Sequence, residues 1–258
     1  VRSEKDQYSV EALIENNVIK ARKLLDLLAE FPPRHFFCVS TDKAANPVNI
    51  MGGSKRIMED LIMAYSDKFK VSTARFANVA FSNGSLLAGF IERLMKHQPL
   101  AAPSDVKRYF VSPEESGQIC MLACVLGKNR EIFFPKLGEE QMMTFSVICD
   151  HFLHTLGYEI YSCKSEEEAK EFAVKTDKNS KRYPVFYFKS DTTGEKDFEE
   201  FYVPGEKLNW ERFASLGVIE DVKIRPIEEL DTLFDDLNQA FSKSDFTKEE
   251  IVNILKDF

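Results

Sequence analysis

The stretch from Phe36 to Ala64, FFCVSTDKAANPVNIMGGSKRIMEDLIMA, limits what this chain can become more than any other. It opens with Phe36, Phe37, Cys38 and Val39, an apolar run short and β-prone enough for a strand buried on both faces. Ser40, Thr41, Asp42 and Lys43 follow without a break, so polar side chains emerge where a parallel strand would end. In open α/β sheets, ligands bind at that end. Asn46-Pro47 and Gly52-Gly53 interrupt the pattern, and a helix is predicted from Ser54, with Ile57, Leu61 and Ile62 on one face. A hydroxyl, an acid and two lysines beside a helix start have the layout of a reactive site.

These residues resemble a family. The extended short-chain dehydrogenase/reductases place a Ser or Thr at the end of this strand and follow it with Tyr-x-x-x-Lys on the next helix. STDKAANPVNIMGGSK looks most like their nucleotide-sugar 4,6-dehydratase branch, whose hallmark is Thr-Asp-Lys-Ala. Within that branch it is most similar to the UDP-N-acetylglucosamine 4,6-dehydratases of bacterial capsule, O-antigen and flagellin glycan pathways. The tyrosine position holds Met51, giving Met-x-x-x-Lys with Lys55, as in some larger members.

The resemblance implies an α/β fold: a Rossmann-like doubly wound parallel sheet with a smaller α+β substrate-binding region toward the C-terminus. Residues 1–130 are expected to form the C-terminal part of the NAD(P)-binding domain with the catalytic motif. Residues 131–258 would be mainly substrate-binding or cap, interleaved with the first part. A dinucleotide-binding fold of this kind begins with a strand and a Gly-rich turn that receives the pyrophosphate. Neither G-x-x-G-x-x-G nor G-x-G-x-x-G occurs in the 258 residues. The segment VRSEKDQYSVEALIENNV resembles one that lies downstream of that turn in the family. The N-terminal half of the sheet is therefore expected to be missing from this chain, leaving the Phe36–Ser40 strand with an open edge.

The implied cofactor is NADP (or NAD), the implied partner a UDP-sugar, and a homo-oligomer is expected. The implied reaction takes a hydride from C4 of the hexose, eliminates water across C5 and C6, and returns the hydride at C6. By resemblance Thr41 supplies a hydroxyl for the 4-oxygen, Asp42 protonates the departing C6 hydroxyl, and Lys43 takes the C5 proton. This division of labour needs Asp42 protonated and Lys43 neutral. Lys55 would bind the nicotinamide ribose, with Ser40 and Asn17 beside the cofactor. Met51 stands where the usual base for the first step would be, and a thioether takes no proton. An acceptor elsewhere (a water, Lys55 or Asp42) or a binding protein without turnover would account for that. Asp42 and Lys43 as a surface pair in a loop is the plain alternative.

Further along, Arg-Phe-x-Asn-Val in the predicted strand Val71–Val79 resembles a family segment that leads into residues holding the sugar nucleotide, and the resemblance implies Asn78 as a substrate contact. FSNGSLL turns at Asn83-Gly84 and starts a helix at Ser85, whose amides would suit a diphosphate; from the residues alone, without the flanking resemblance, an ordinary turn with a Ser cap is the preferred reading. Arg108, in DVKRYFVSP, resembles the family's diphosphate-gripping arginine, a role that suits a planar guanidinium. Glu195, in Thr-Thr-Gly-Glu-Lys, resembles a segment that closes over the nucleotide, although the arginine usual before it is absent. A nucleotide-sugar 4-epimerase or reductase on the same scaffold, or a non-catalytic nucleotide-sugar-binding module, are the alternative functions.

The net charge of −8 argues against a nucleic-acid-binding face. No apolar run approaches the roughly 20 residues that span a bilayer, and the start is not a signal peptide. The five cysteines show no paired metal spacing, and Cys120 and Cys124 are expected as buried thiols. His151 and His154 lack a third ligand at matching distance, so no metal is expected. These features fit a reducing cytoplasm. Helices are predicted over Leu13–Leu28, 113–126, 144–156 and 165–176, and near 206–216, 226–241 and 247–257, with strands at 131–137 and 183–190.

Overall fold

The computed structural model describes residue 4 and residues 6–177, 179–190, 200–243 and 245–258. The chain divides into two compact units that alternate along the sequence. The larger takes its described residues from 2–76, 115–136 and 200–258, the smaller from 77–114 and 137–199.

The larger unit is built on a five-stranded sheet in the order Phe36–Thr41, Val71–Phe76, Glu131–Pro135, Leu216–Glu220, Lys207–Asn209. The first three strands are parallel, and the last two form an antiparallel hairpin added to Glu131–Pro135. Residues of a strand alternate between the two faces of its sheet. Ala74, Phe76, Phe133 and Val218 accordingly pack on one face with Ile119 and Ala123 of the helix Pro113–Leu126, and Phe37 joins them. On the other face Cys38 meets Met58, and Arg75 meets Glu59, both on the helix Ile50–Ala64. Helices thus cover both faces, the doubly wound arrangement expected.

Arg75 is fully buried, and a buried charge persists only when paired. Its guanidinium donates to Glu59 at 2.8 Å and 3.1 Å, to the Phe201 carbonyl at 2.8 Å and to Glu206 at 3.3 Å. One side chain therefore fastens the Ile50–Ala64 helix and residues 201–206 to the second strand. The C-terminal helices Ile227–Ser242 and Lys248–Asp257 lie over the helices Lys20–Glu30 and Ile50–Ala64, held by Arg22–Asp231 and Arg225–Asp60 pairs.

The Phe36–Thr41 strand is terminal in the sheet, as expected, and among the described residues no strand pairs with its outer side. A terminal strand is not covered on all sides, and Val39 is 45% exposed, so the reading of a strand buried on both faces does not hold.

The smaller unit carries a three-stranded parallel sheet, ordered Leu100–Pro103, Arg182–Phe188, Glu159–Cys163. Leu87, Phe90, Leu100, Ile148, Leu153 and Val185 form its core, drawn from these strands and the helices Leu86–Met95 and Phe145–Thr155.

Several local expectations are corrected. The first helix begins at Gln7, capped by Asp6 accepting from Ser9 N at 2.8 Å, and is not a uniform α-helix. A π-turn, Glu15–Ile19, separates Gln7–Ile14 from Lys20–Glu30. The predicted strand Val71–Val79 ends at Phe76, and Asn78–Val79 pairs instead with Phe110–Val111. No helix forms at 206–216, where Gly205 at φ +92° turns the chain into the Lys207–Asn209 strand. Cys120 is half-buried and Cys124 exposed, because Ile119 and Ala123 take the inward face of their helix. No described helix is long and apolar enough to cross a membrane.

Candidate active site

The Phe36–Thr41 strand delivers Thr41 to the C-terminal edge of the sheet, level with Phe76 of the next strand. A single 3-10 turn, Asp42–Ala44, follows at once, closed by Ala45 N donating to the Asp42 carbonyl at 3.1 Å. Asp42 is 2% exposed, so the turn drives its carboxyl inward. Its Oδ1 accepts from Thr41 Oγ1 at 2.7 Å, Lys43 N at 2.9 Å and Lys43 Nζ at 3.1 Å. Its Oδ2 is buried with no hydrogen-bond partner among the described residues, and the same holds for the Ser40 hydroxyl. Thr41, Asp42 and Lys43 are therefore one bonded cluster with a buried, unsatisfied oxygen.

The helix facing this turn starts four residues before the predicted Ser54. Asn49 caps it, its Oδ1 accepting from Gly52 N at 2.9 Å, so the helix runs through both glycines. Met51 lies in the first turn, half-buried, and its N–H donates to Glu4 Oε1 at 2.8 Å. One turn on, Lys55 Nζ lies 3.7 Å from Met58 Sδ, its one hydrogen-bond partner among the described residues. The Cys38 sulfur lies 4.0 Å from the same thioether, and burial pushes its thiol up, opposed by the nearby Lys55 ammonium. A half-buried ammonium beside two sulfurs, with no carboxylate partner among the described residues, leaves strong donors for a ligand.

Asn17 sits in the π-turn, a helical irregularity frequent at functional sites. Its amide donates to Ser54 Oγ at 2.9 Å, and Ser54 Oγ donates to the Met51 carbonyl at 2.9 Å. Asn17 thus braces the helix that carries Met51 and Lys55.

In the smaller unit, Asn78 pairs through its N–H with the Tyr109 carbonyl at 3.2 Å, and its side-chain amide reaches the same oxygen at 3.4 Å. Ser85 is the N-cap of Leu86–Met95, accepting from Ala88 N at 3.1 Å after Gly84 turns at φ +75°. Arg108 is 3% exposed, on a strand paired with Met143–Thr144, and donates to the Lys107 carbonyl at 2.7 Å. Glu195 lies outside the described residues. No group of three or more potential metal ligands occurs among the described residues.

The Ser40 hydroxyl and the Lys55 ammonium, one without a hydrogen-bond partner and the other without a carboxylate partner among the described residues, have the polarity that the nicotinamide-ribose end of a dinucleotide would need. Sequence reasoning missed Ser54, Met58 and Glu4. Met58 was visible as an i+3 neighbour of Lys55, whereas Ser54 and Glu4 act only through folded contacts.

A model of the polysaccharide biosynthesis protein family matches residues 5–214. An uncharacterized membrane protein of Methanocaldococcus jannaschii is 27% identical over 97% of this chain and 70% of its own length. The UDP-N-acetylglucosamine 4,6-dehydratase (inverting) of Campylobacter jejuni is 23% identical over 69% of this chain and 54% of its own length. A UDP-glucose 4-epimerase of Rickettsia bellii is 23% identical over 95% of this chain and 72% of its own length. Among solved structures, the dTDP-glucose 4,6-dehydratase DesIV of Streptomyces venezuelae, with NAD bound, superposes with a TM-score of 0.57. The sequence identity is 16%, over 78% of this chain and 62% of that one. The chain shares the Rossmann-type α/β fold of that structure.

Proposed function

The chain belongs to the polysaccharide biosynthesis protein family, and on that premise we propose that it carries the catalytic part of a UDP-N-acetylglucosamine 4,6-dehydratase. The observation that supports this most is the Asp42–Lys43 pair at the C-terminal edge of the sheet, with Asp42 Oδ2 buried and unpartnered. When bound, a nicotinamide (NADP or NAD) would supply hydride chemistry at C4 and C6, and the proton of the 4-hydroxyl would leave to a water, Lys55 or Asp42, since the Met51 thioether takes none. Lys55 and Ser40 would hold the nicotinamide-ribose end, and Asn17 would keep Lys55 in register through Ser54.

Elimination needs an acid at the C6 oxygen and a base at C5. An acid–amine pair in direct contact holds the same number of protons whether written as an ion pair or as a neutral acid beside a neutral amine. Lys43 Nζ and Asp42 Oδ1 are in contact at 3.1 Å, so the two forms differ only in whether one proton rests on Lys43 Nζ or on the Asp42 carboxyl. In the neutral arrangement Lys43 Nζ has a lone pair for the C5 proton, which the neighbouring C4 ketone acidifies. A proton on Asp42 Oδ2, the oxygen without a partner, is then available to the departing C6 hydroxyl, which leaves as water. Thr41 Oγ1 keeps Oδ1 occupied, so that Oδ2 is the oxygen left to carry the proton. Arg108, Asn78, Ser85 and Glu195 are proposed to contact the UDP moiety.

A second reading, a nucleotide-sugar 4-epimerase, has the Rickettsia relative in its favour. It gives no work to Asp42 and Lys43 and normally requires a tyrosine where Met51 stands. Incubating the complete protein with UDP-N-acetylglucosamine and weighing the product separates the readings. Loss of one water supports the dehydratase, an isomer of equal mass the epimerase, and unchanged sugar a binding module.

A further inference from the structure

Gly52 and Gly53 are adjacent, both lie inside the Ile50–Ala64 helix, and by helix propensity both should be improved by alanine. Their surroundings differ. A Cβ on Gly53 would meet only Leu255 Cδ1, at 3.6 Å, an ordinary contact. A Cβ on Gly52 would lie 2.8 Å from the Lys43 carbonyl oxygen, 3.2 Å from Pro47 Cβ and 3.3 Å from Asn49 Oδ1. The first separation is closer than real Cβ atoms come to a backbone oxygen. The atom that would have to move belongs to the turn that carries Asp42 and Lys43.

That helix is not free to retreat. Asn49 caps it at the Gly52 amide, Asn17 holds Ser54, and Glu59 is locked to Arg75. Its far side is backed by the C-terminal helix through Leu255. With the helix fixed, the absent side chain of Gly52 sets how closely the Asp42–Ala44 turn approaches Met51 and Lys55.

We propose that Gly52 is a positioning residue: its bare Cα lets the Lys43 carbonyl rest against the helix, which fixes the Asp42 and Lys43 side chains relative to Lys55. This rests on the dehydratase reading for its catalytic consequence, but not for its structural one. The elimination step depends on the Asp42–Lys43 geometry, whereas sugar-nucleotide affinity does not. Misplacement by about 1 Å can cost on the order of 10²-fold in rate.

The test compares Gly52→Ala with Gly53→Ala in the complete protein carrying its nicotinamide cofactor, together with amide hydrogen exchange of both variants without substrate. Gly53→Ala is expected to match the wild type throughout. Gly52→Ala is expected to lower kcat for water loss by about 10²-fold at unchanged KM. It should also raise exchange at the Lys43 and Ala45 amides while leaving Ile57–Met63 as protected as before. Equal kcat in the two variants overturns the proposal. If the wild type forms no dehydrated sugar, the dehydratase reading fails, and the exchange comparison alone decides: unchanged protection of the turn in Gly52→Ala overturns the role of Gly52. Should Gly52→Ala not fold, the wild type carries the test. The Lys43 and Ala45 amides must then exchange as slowly as the helix, and rapid exchange there overturns the proposal.

Discussion

The Asp42 carboxyl and the Lys43 ammonium are bonded to each other at 3.1 Å although they are consecutive in sequence. Consecutive residues seldom point the same way; here the 3-10 turn beginning at Asp42 brings both side chains to one place. Thr41 Oγ1 and the Lys43 amide complete the set on Oδ1, which leaves Oδ2 buried without a hydrogen-bond partner among the described residues.

Replacing Asp42 by Asn keeps an oxygen for Thr41 and Lys43 but removes the transferable proton. Turnover of UDP-N-acetylglucosamine should fall by roughly 10²–10⁴-fold, the usual loss on removing a general acid. UDP affinity, read by calorimetry, should be unchanged. Full activity in Asp42→Asn would take this residue out of the mechanism.

Met51 is half-buried at the helix start, and its backbone rather than its sulfur makes the hydrogen bond to Glu4. A tyrosine at this position therefore keeps the local backbone bonds. Met51→Tyr is expected to retain or raise dehydratase turnover. An inactive wild type rescued by the substitution would instead show that the native protein binds without completing the first step.

Ser54 is fully buried between Asn17 and the Met51 carbonyl. Ser54→Ala leaves the Asn17 amide without its acceptor, so a stability loss of about 1–3 kcal/mol is expected in urea unfolding. Asn17→Ala in the Ser54→Ala background should then add much less than it does alone, since one bond cannot be lost twice. Additive effects would show that the two residues are not coupled.

His35 offers a pH test outside the site. Its Nε2 lies 2.9 Å from Ser72 Oγ, and Ser72 Oγ donates to the Ala123 carbonyl at 3.1 Å, so the imidazole is the donor in the first bond. Burial, reinforced by Lys70, holds the imidazole below the usual histidine value, against a smaller opposing bond to the Cys124 backbone. The unfolded chain then binds the extra proton first as the solution is acidified. Stability should be full above about pH 6.5 and decline as pH falls toward the lowered value. Urea midpoints at two pH values in wild type and His35→Gln check this, the variant being expected to show the shallower loss.

The Phe36–Thr41 strand and its polar end were legible because a run of four apolar residues followed by Ser40, Thr41, Asp42 and Lys43 has few foldings. The start of the facing helix was not legible. Gly52-Gly53 reads as a breaker, yet the glycine at 52 is there for a close approach to Lys43, a contact visible only once the turn and helix are adjacent. Residues 206–216 misled for a related reason. Glu206 looks like a helical surface acid but is an ion partner of buried Arg75, and Asn209 accepts from the amides of Glu211 and Arg212 to shape a turn. The π-turn at Glu15–Ile19 also leaves no mark on the apolar periodicity, since Val18 and Ile19 stay buried through it.

The reaction proposed for the complete protein is elimination of water from a UDP-hexosamine through Asp42 and Lys43. Its most direct test follows a deuterium placed at C4 of UDP-N-acetylglucosamine through the complete protein, with the product read by mass spectrometry and NMR. The expected product has lost one water, carries a ketone at C4 and holds the deuterium on C6. A product of unchanged mass with the label still at C4, or a 4-epimer, would contradict the claim.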